Sequence, residues 1–130
     1  MGTNYYLYGV PCPCCGNRPP PYHIGKSSAG WYFTLHIDPA KGISGLDDIM
    51  ALCEKPGALI RDEYGDAVPL SKLRSIITDR MWKTSPSSDI FLPQNKAEIG
   101  VNGLVRMLVD GQFCIGHGPG TWSLCLGEFS

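Results

Sequence analysis

Three features are missing from this 130-residue chain, and each absence removes a class of protein. It has no apolar run long enough to span a bilayer, so a membrane-embedded protein is not expected. It has no excess of charge: charged residues make up 18 % and the formal net charge is −1. A protein built to wrap duplex DNA needs surplus Lys and Arg to neutralise phosphates, which leaves room here only for a local basic patch. The start, Met1-Gly2-Thr3-Asn4-Tyr5-Tyr6, has neither the charged nor the apolar region of a signal peptide, and Tyr6 stands where a myristoylation pattern wants Ser or Thr. An intracellular protein is therefore expected.

What is present is turn chemistry and sulfur. Sixteen Gly and eleven Pro favour short strands and loops over long helices. The length suits one domain, residues 1–130, whose core forms without a metal, so any metal is a local staple. Six cysteines in a reducing compartment read as buried thiols or metal ligands ahead of disulfides.

The densest chemistry lies between Cys12 and Ile37, a knuckle plus hairpin that forms a substructure of the domain. Asn4 to Val10 reads as a strand entering Cys12-Pro13-Cys14-Cys15-Gly16, where Cys12 and Cys15 have C-x2-C spacing. Gly16 permits the positive φ that turns backbone amides toward the sulfurs. After the stiff spacer Asn17 to Pro21, Tyr22 to Ile37 alternates as a β-hairpin with its turn at Ser27-Ser28-Ala29-Gly30. That turn sets His23 opposite Thr34 and diagonal to His36, placing both imidazoles on one face and Trp31, Phe33 and Leu35 on the other. Cys12, Cys15, His23 and His36 then make a Cys2His2 set suited to tetrahedral zinc. With all four positions filled by protein, the ion is structural.

Downstream, a helix is expected from Leu46 to Glu54, with Ser44 and Asp47 at capping-box spacing and Pro56-Gly57 as its stop. Leu59 to Val68 reads as a hairpin turning near Tyr64-Gly65-Asp66. A second helix opens at Leu70 or Ser71, with Leu73, Ile76, Ile77 and Met81 as its stripe, and ends near Trp82. Lys83 to Asn95 is an irregular loop. The C-terminal third is a β-meander whose last hairpin, Gln112 to Phe129, turns at Gly118-Pro119-Gly120 and sets Cys114 opposite Cys125 as buried thiols. The fold class is α+β: antiparallel hairpins and a meander, two short helices and a zinc-knuckle-like N-terminal segment.

Other candidate groups are weaker. Gly25-Lys26-Ser27-Ser28 contains G-K-S, but Pro20 replaces the companion glycine and a hairpin follows where a phosphate loop needs a helix. Lys26, Ser27 and Ser28 at a hairpin tip are either a solvated turn or a contact for phosphate or an acidic surface. His117, among glycines, is a second candidate contact, and Arg18 adds a cation beside the knuckle. Asp62, Glu63 and Asp66 are read as turn residues. Tyr5, Tyr6, Trp31, Tyr32 and Trp82 either fill the core or stack on single-stranded nucleic acid.

On Met1 to Tyr6, the Cys12-x-x-Cys15-Gly16 knuckle, the block His23 to Trp31 with Phe33, Leu35 and His36, the Asp62 to Gly65 turn and the His117-Gly118-x-Gly120-Thr121-Trp122 ending, the chain resembles a family of small uncharacterised bacteriophage and prophage proteins. The resemblance implies a phage-encoded protein acting in the cytoplasm of a bacterial host, with the knuckle and hairpin as its metal site. The expectation is a non-enzymatic, zinc-stabilised binding protein directed at a host protein or complex, such as a defence system. Nucleic-acid binding through the zinc hairpin is the alternative. A small hydrolase or nucleotide-binding enzyme using His117 with Asp62 or Glu63 is a third class.

Overall fold

The computed structural model describes residues 2–81 and 91–127, with backbone alone at Phe91 and Leu92. In chain order the elements are β1 (Gly2–Tyr8), β2 (Tyr22–Ser28), β3 (Phe33–His36), α1 (Leu46–Cys53), β4 (Leu59–Asp62), α2 (Leu70–Thr78), α3 (Phe91–Gln94), β5 (Ala97–Ile99), β6 (Val105–Met107), β7 (Cys114–His117) and β8 (Trp122–Cys125). This is the α+β architecture expected. A six-stranded sheet has the order β4-β1-β2-β3-β8-β7, and β5 and β6 form a separate antiparallel pair. Among the described residues no helix is long and apolar enough to cross a membrane.

One sheet face holds the main core. Tyr5, Leu7, Ile24, Phe33 and Leu35 pack against Ile49, Met50 and Cys53 of α1 and Leu73 and Ile77 of α2. Burial of each such side chain contributes about 1.5–3 kcal/mol, so this layer holds both helices to the sheet. Ile49, Met50 and Cys53 recur at helical spacing, and Gly57, at φ 88, follows the helix where the Pro56-Gly57 stop was read. The cap is shifted by one residue: Asp48, not Asp47, accepts from the Ser44 amide and hydroxyl, and these bonds hold its carboxyl below the usual 3.8.

The first hairpin reaches its expected faces by another route. Lys26, not His23, lies opposite Thr34, because β2 runs on to Ser28. A three-residue change in register would send His23 to the wrong face. A β-bulge reverses it: Tyr5 pairs with Gly25 while Tyr6 pairs with His23, so Ile24 is the extra residue and both Ile24 and Gly25 turn toward the core. Trp31 is only half-buried, whereas Tyr32 is 2 % exposed, the reverse of the expectation for Trp31. The reason is that Trp31 bridges to Val105 instead of continuing the hairpin ladder, and regular alternation starts only at Phe33.

The C-terminal third also departs from a continuous meander. β8 inserts beside β3 in parallel, with Phe33 against Trp122 and His36 against Cys125, a pairing no local turn could announce. Cys114 and Cys125 do lie opposite each other and are fully buried, as the sequence indicated. Within the expected Lys83 to Asn95 loop, Phe91–Gln94 is helical. The second helix ends at Thr78, short of the end expected near Trp82, with the Asp79 amide donating to Ser75 O as its cap, so Met81 lies beyond the helix and is 68 % exposed instead of completing its apolar stripe. Residues 82–90 and 128–130 lie outside the described residues, as does Met1.

Candidate functional site

The knuckle is a closed loop. The Cys12 amide donates to Asn17 O at 2.7 Å and the Gly16 amide to Cys12 O at 2.8 Å, with Gly16 in the left-handed region at φ 76. Hydrogen bonds from the Cys15 and Cys14 amides, then from the Cys15 thiol, hold the Cys12 thiol below its ordinary 9.0. Stabilised thiolate is what both metal binding and nucleophilic reaction require. Arg18 anchors the loop, its Nη1 donating to Gly9 O and to Gly57 O at 2.7 Å each. That guanidinium ties the knuckle to the chain at Gly9 and Gly57. Residues 13–17 and 19–21 face solvent beside the exposed Val10 and Leu59.

His23 and His36 share the face opposite the main core, with ring centroids 5.8 Å apart. Both are 7 % exposed. Tyr6 stacks on His23 and Tyr22 on His36, each at 5.1 Å, and the Tyr22 hydroxyl donates to His36 O at 2.6 Å. His36 Nδ1 lies 2.9 Å from His23 O, which can only accept, so Nδ1 carries the hydrogen. His23 Nε2 lies 2.8 Å from Asn4 Oδ1 and donates to it. Glu63 completes the chain: its Oε1 accepts from the Asn4 amide at 2.8 Å. A carbonyl or amide oxygen thus stands behind each ring, the arrangement that orients metal-ligating imidazoles.

The donor chemistry of Cys12, Cys15, His23 and His36 thus fits zinc, yet among the described residues no group of three or more His, Cys, Asp or Glu side chains is placed to hold a metal ion. A second sulfur set lies on the histidine face, where the row His23, His36, Cys125, Cys114 crosses β2, β3, β8 and β7. At one strand spacing per step that row spans about 14 Å. Zinc donors lie only about 2.0–2.3 Å from the ion, so one ion cannot reach along the row.

The remaining expected contacts are tied into the fold. Lys26 is mid-strand, paired with Asn4 and Thr34, and not at a tip. Arg80 holds the end of β2: it donates to Ser27 Oγ at 2.8 Å, Ser28 O at 2.6 Å and Trp31 O at 2.9 Å, and also to Ile76 O at 3.1 Å. His117 is half-buried in β7 instead of exposed at a turn, its Nδ1 2.9 Å from Ser123 Oγ. The tip itself is packed, since a Cβ at Gly118 would overlap the Trp122 indole. Asp62 is the turn residue expected, accepting from the Tyr64 and Asp66 amides at 2.9 and 3.0 Å. It and Glu63 adjoin β4, at the opposite edge of the sheet from His117 in β7, roughly five strand spacings or about 24 Å away, so these groups do not converge in one cleft.

His117 provides a pH prediction. Burial, then the nearby Arg106, lowers its pKa below 6.5, opposed by Glu98 and by the Met107 backbone; buried Nε2 makes no hydrogen bond of good geometry among the described residues, and Tyr32 packs edge-on. A base with a depressed folded pKa stabilises the fold above its unfolded pKa. That contribution is lost as pH falls from about 6.5 through the lower folded value, because the unfolded chain takes up the proton first. Stability measured by denaturant titration is expected to fall over this window, and His117→Gln is expected to flatten the fall; identical slopes in both proteins would contradict the assignment.

Asn4, Arg80 and Ser123 are the positions that sequence reasoning passed over. Asn4, a polar residue within an otherwise apolar strand, is the only one with a visible signal. Compared with protein-family models, with curated proteins and with solved structures, the chain matches none.

Proposed function

We propose that the chain is a non-catalytic binding protein whose knuckle loop docks on a host protein in the bacterial cytoplasm, as the likeness to phage and prophage proteins suggests, with a defence complex as one such target. Zinc is the proposed cofactor, and Cys12, Cys15, His23 and His36 would hold it, locking the loop to the histidine face. The observation that carries this reading is the knuckle: an exposed loop with a lowered thiol, clamped at its base by Arg18. A loop fixed before binding loses little entropy on docking, which favours recognition. The proposed contact surface is consequently the knuckle loop and not Lys26, Ser27, Ser28 or His117.

Elemental analysis tests the metal. About one zinc per chain is expected, with Cys12→Ser and Cys15→Ser each losing it; metal-free protein purified under reducing, zinc-replete conditions would remove zinc from the reading. Affinity capture from a bacterial lysate tests the docking. One host protein should be retained by the wild type and lost with Arg18→Ala, which frees the loop without touching a ligand. Retention unaffected by Arg18→Ala would move the contact elsewhere. Binding to oligonucleotides that weakens steeply with salt would favour the nucleic-acid alternative instead.

A further inference from the structure

The C-terminal hairpin carries a second sulfur site, independent of the metal reading. Cys114 of β7 and Cys125 of β8 are Cα partners in an antiparallel ladder, both unbridged and both 0 % exposed. The bond from Leu126 N–H to Phe113 O at 2.8 Å belongs to the neighbouring pair of residues, which makes Cys114 and Cys125 a non-hydrogen-bonded pair. At such positions Cα atoms approach to about 4.5 Å and side chains meet most closely. That separation lies inside the range of about 4.4–6.8 Å that disulfides span.

We infer that Cys114 and Cys125 are a reversible dithiol site that closes to a cross-strand disulfide on reaction with a hydroperoxide. In the closed strand the Cys114 thiol donates to Gly116 O at 3.5 Å and to Met107 O at 3.9 Å; once β7 opens either sulfur is free to attack, and the other, its ladder partner, resolves it. The Asp110 carboxylate opposes ionisation at Cys114, and His36 lies beside Cys125 on β3. Access comes through the sheet edge. β7 is the last strand in the order, and its register is interrupted at Ile115, so it can open locally without the helices leaving the opposite face.

The chemistry balances. One of the two sulfurs, as thiolate, attacks one oxygen of the peroxide and the O–O bond breaks, leaving a sulfenic acid on that cysteine and an alcohol, or water when the oxidant is hydrogen peroxide. The partner cysteine's sulfur then attacks the sulfenyl sulfur; the S–S bond forms, the S–O bond breaks and water leaves. Two thiols have given up two electrons and two protons, and the peroxide has taken them. A dithiol reductant reverses the step by thiol–disulfide exchange.

Peptide mapping of the folded wild-type protein tests this directly. No Lys or Arg follows Arg106, so trypsin leaves Cys114 and Cys125 together on one peptide, separate from Cys53 and from the knuckle. After treatment with near-stoichiometric hydrogen peroxide, denaturation and alkylation, that peptide is expected to be lighter by the mass of two hydrogens, to carry no alkyl group, and to regain two alkylation sites after dithiothreitol. Cys53, whose thiol burial pushes up to about 11, should stay alkylated. A peptide that remains doubly alkylated, carries added oxygen on Cys114 or Cys125 as distinct from Met107, or is linked to Cys53 or to the knuckle would overturn the inference. Repeating the map on Cys12→Ser separates the two sulfur sites: loss of zinc with the hairpin disulfide intact leaves this inference standing whatever becomes of the metal.

Discussion

Gly25→Ala is expected to destabilise the protein by about 3 kcal/mol, the upper end of what an overpacked core position costs. A Cβ at this position would overlap the Thr34 carbonyl oxygen and sit 2.5 Å from Phe33 Cε1. Neither neighbour can yield cheaply, because Thr34 O belongs to the β2–β3 ladder and Phe33 is 0 % exposed in the centre of the core. The cost also falls on the candidate site, since the Ile24-Gly25 bulge is what returns His23 to the face of His36. Chemical denaturation should show the loss of stability. In the residual folded fraction the resonances of the His23 and His36 rings, stacked on Tyr6 and Tyr22, should shift together. A variant as stable as the wild type would mean that the bulge can relax to a regular ladder.

Arg80→Ala ranks beside it, with an expected loss of about 3 kcal/mol. The guanidinium makes four hydrogen bonds, three of them to main-chain carbonyls of Ser28, Trp31 and Ile76. Burial lowers its pKa, yet a guanidinium remains charged, so these are charge-assisted bonds in a part-buried setting. Truncation leaves the Trp31 carbonyl without the guanidinium and Ser28 O with the Trp31 amide alone, and an orphaned acceptor costs about 1–3 kcal/mol. Arg80→Lys should recover only part of the loss, because a single ammonium cannot follow the planar fork. Hydrogen exchange offers a local readout: the Tyr32 and Val105 amides, which bond to Val105 O and Gly30 O, should lose protection before the β1–β2 ladder does. Uniform exchange across the sheet would show that Arg80 is not a local clamp.

The first hairpin shows why some of this was legible in the sequence. Alternation over Phe33 to His36 is a short-range property, and a side chain's face follows from its parity along the strand. The pairing of His23 with His36 could be read even though the assumed register was three residues out, because the bulge compensated the odd shift. Trp31 could not be read in this way. Its environment is set by Val105, remote in sequence, and a hairpin pattern contains no term for that contact. The same holds for Lys26, Ser27 and Ser28: Gly and Ser signal a turn, but whether the turn stands in solvent depends on Arg80, which arrives from the end of α2.

The knuckle and the two tips divide along the same line. Sequence alone determined the α+β class, the stripe of α1 and that of α2 as far as Ile77 but not Met81, the Cys12 to Gly16 turn and the facing of Cys114 with Cys125, because each rests on spacing within a few residues of the chain or across one short turn. Only the tertiary structure decided that β8 lies parallel to β3, that Arg18 and Arg80 clamp main-chain carbonyls of distant segments, and that Glu63 and Asn4 hold His23. These are contacts between segments far apart in sequence, selected by how the chain buries apolar surface while pairing most of its buried polar groups.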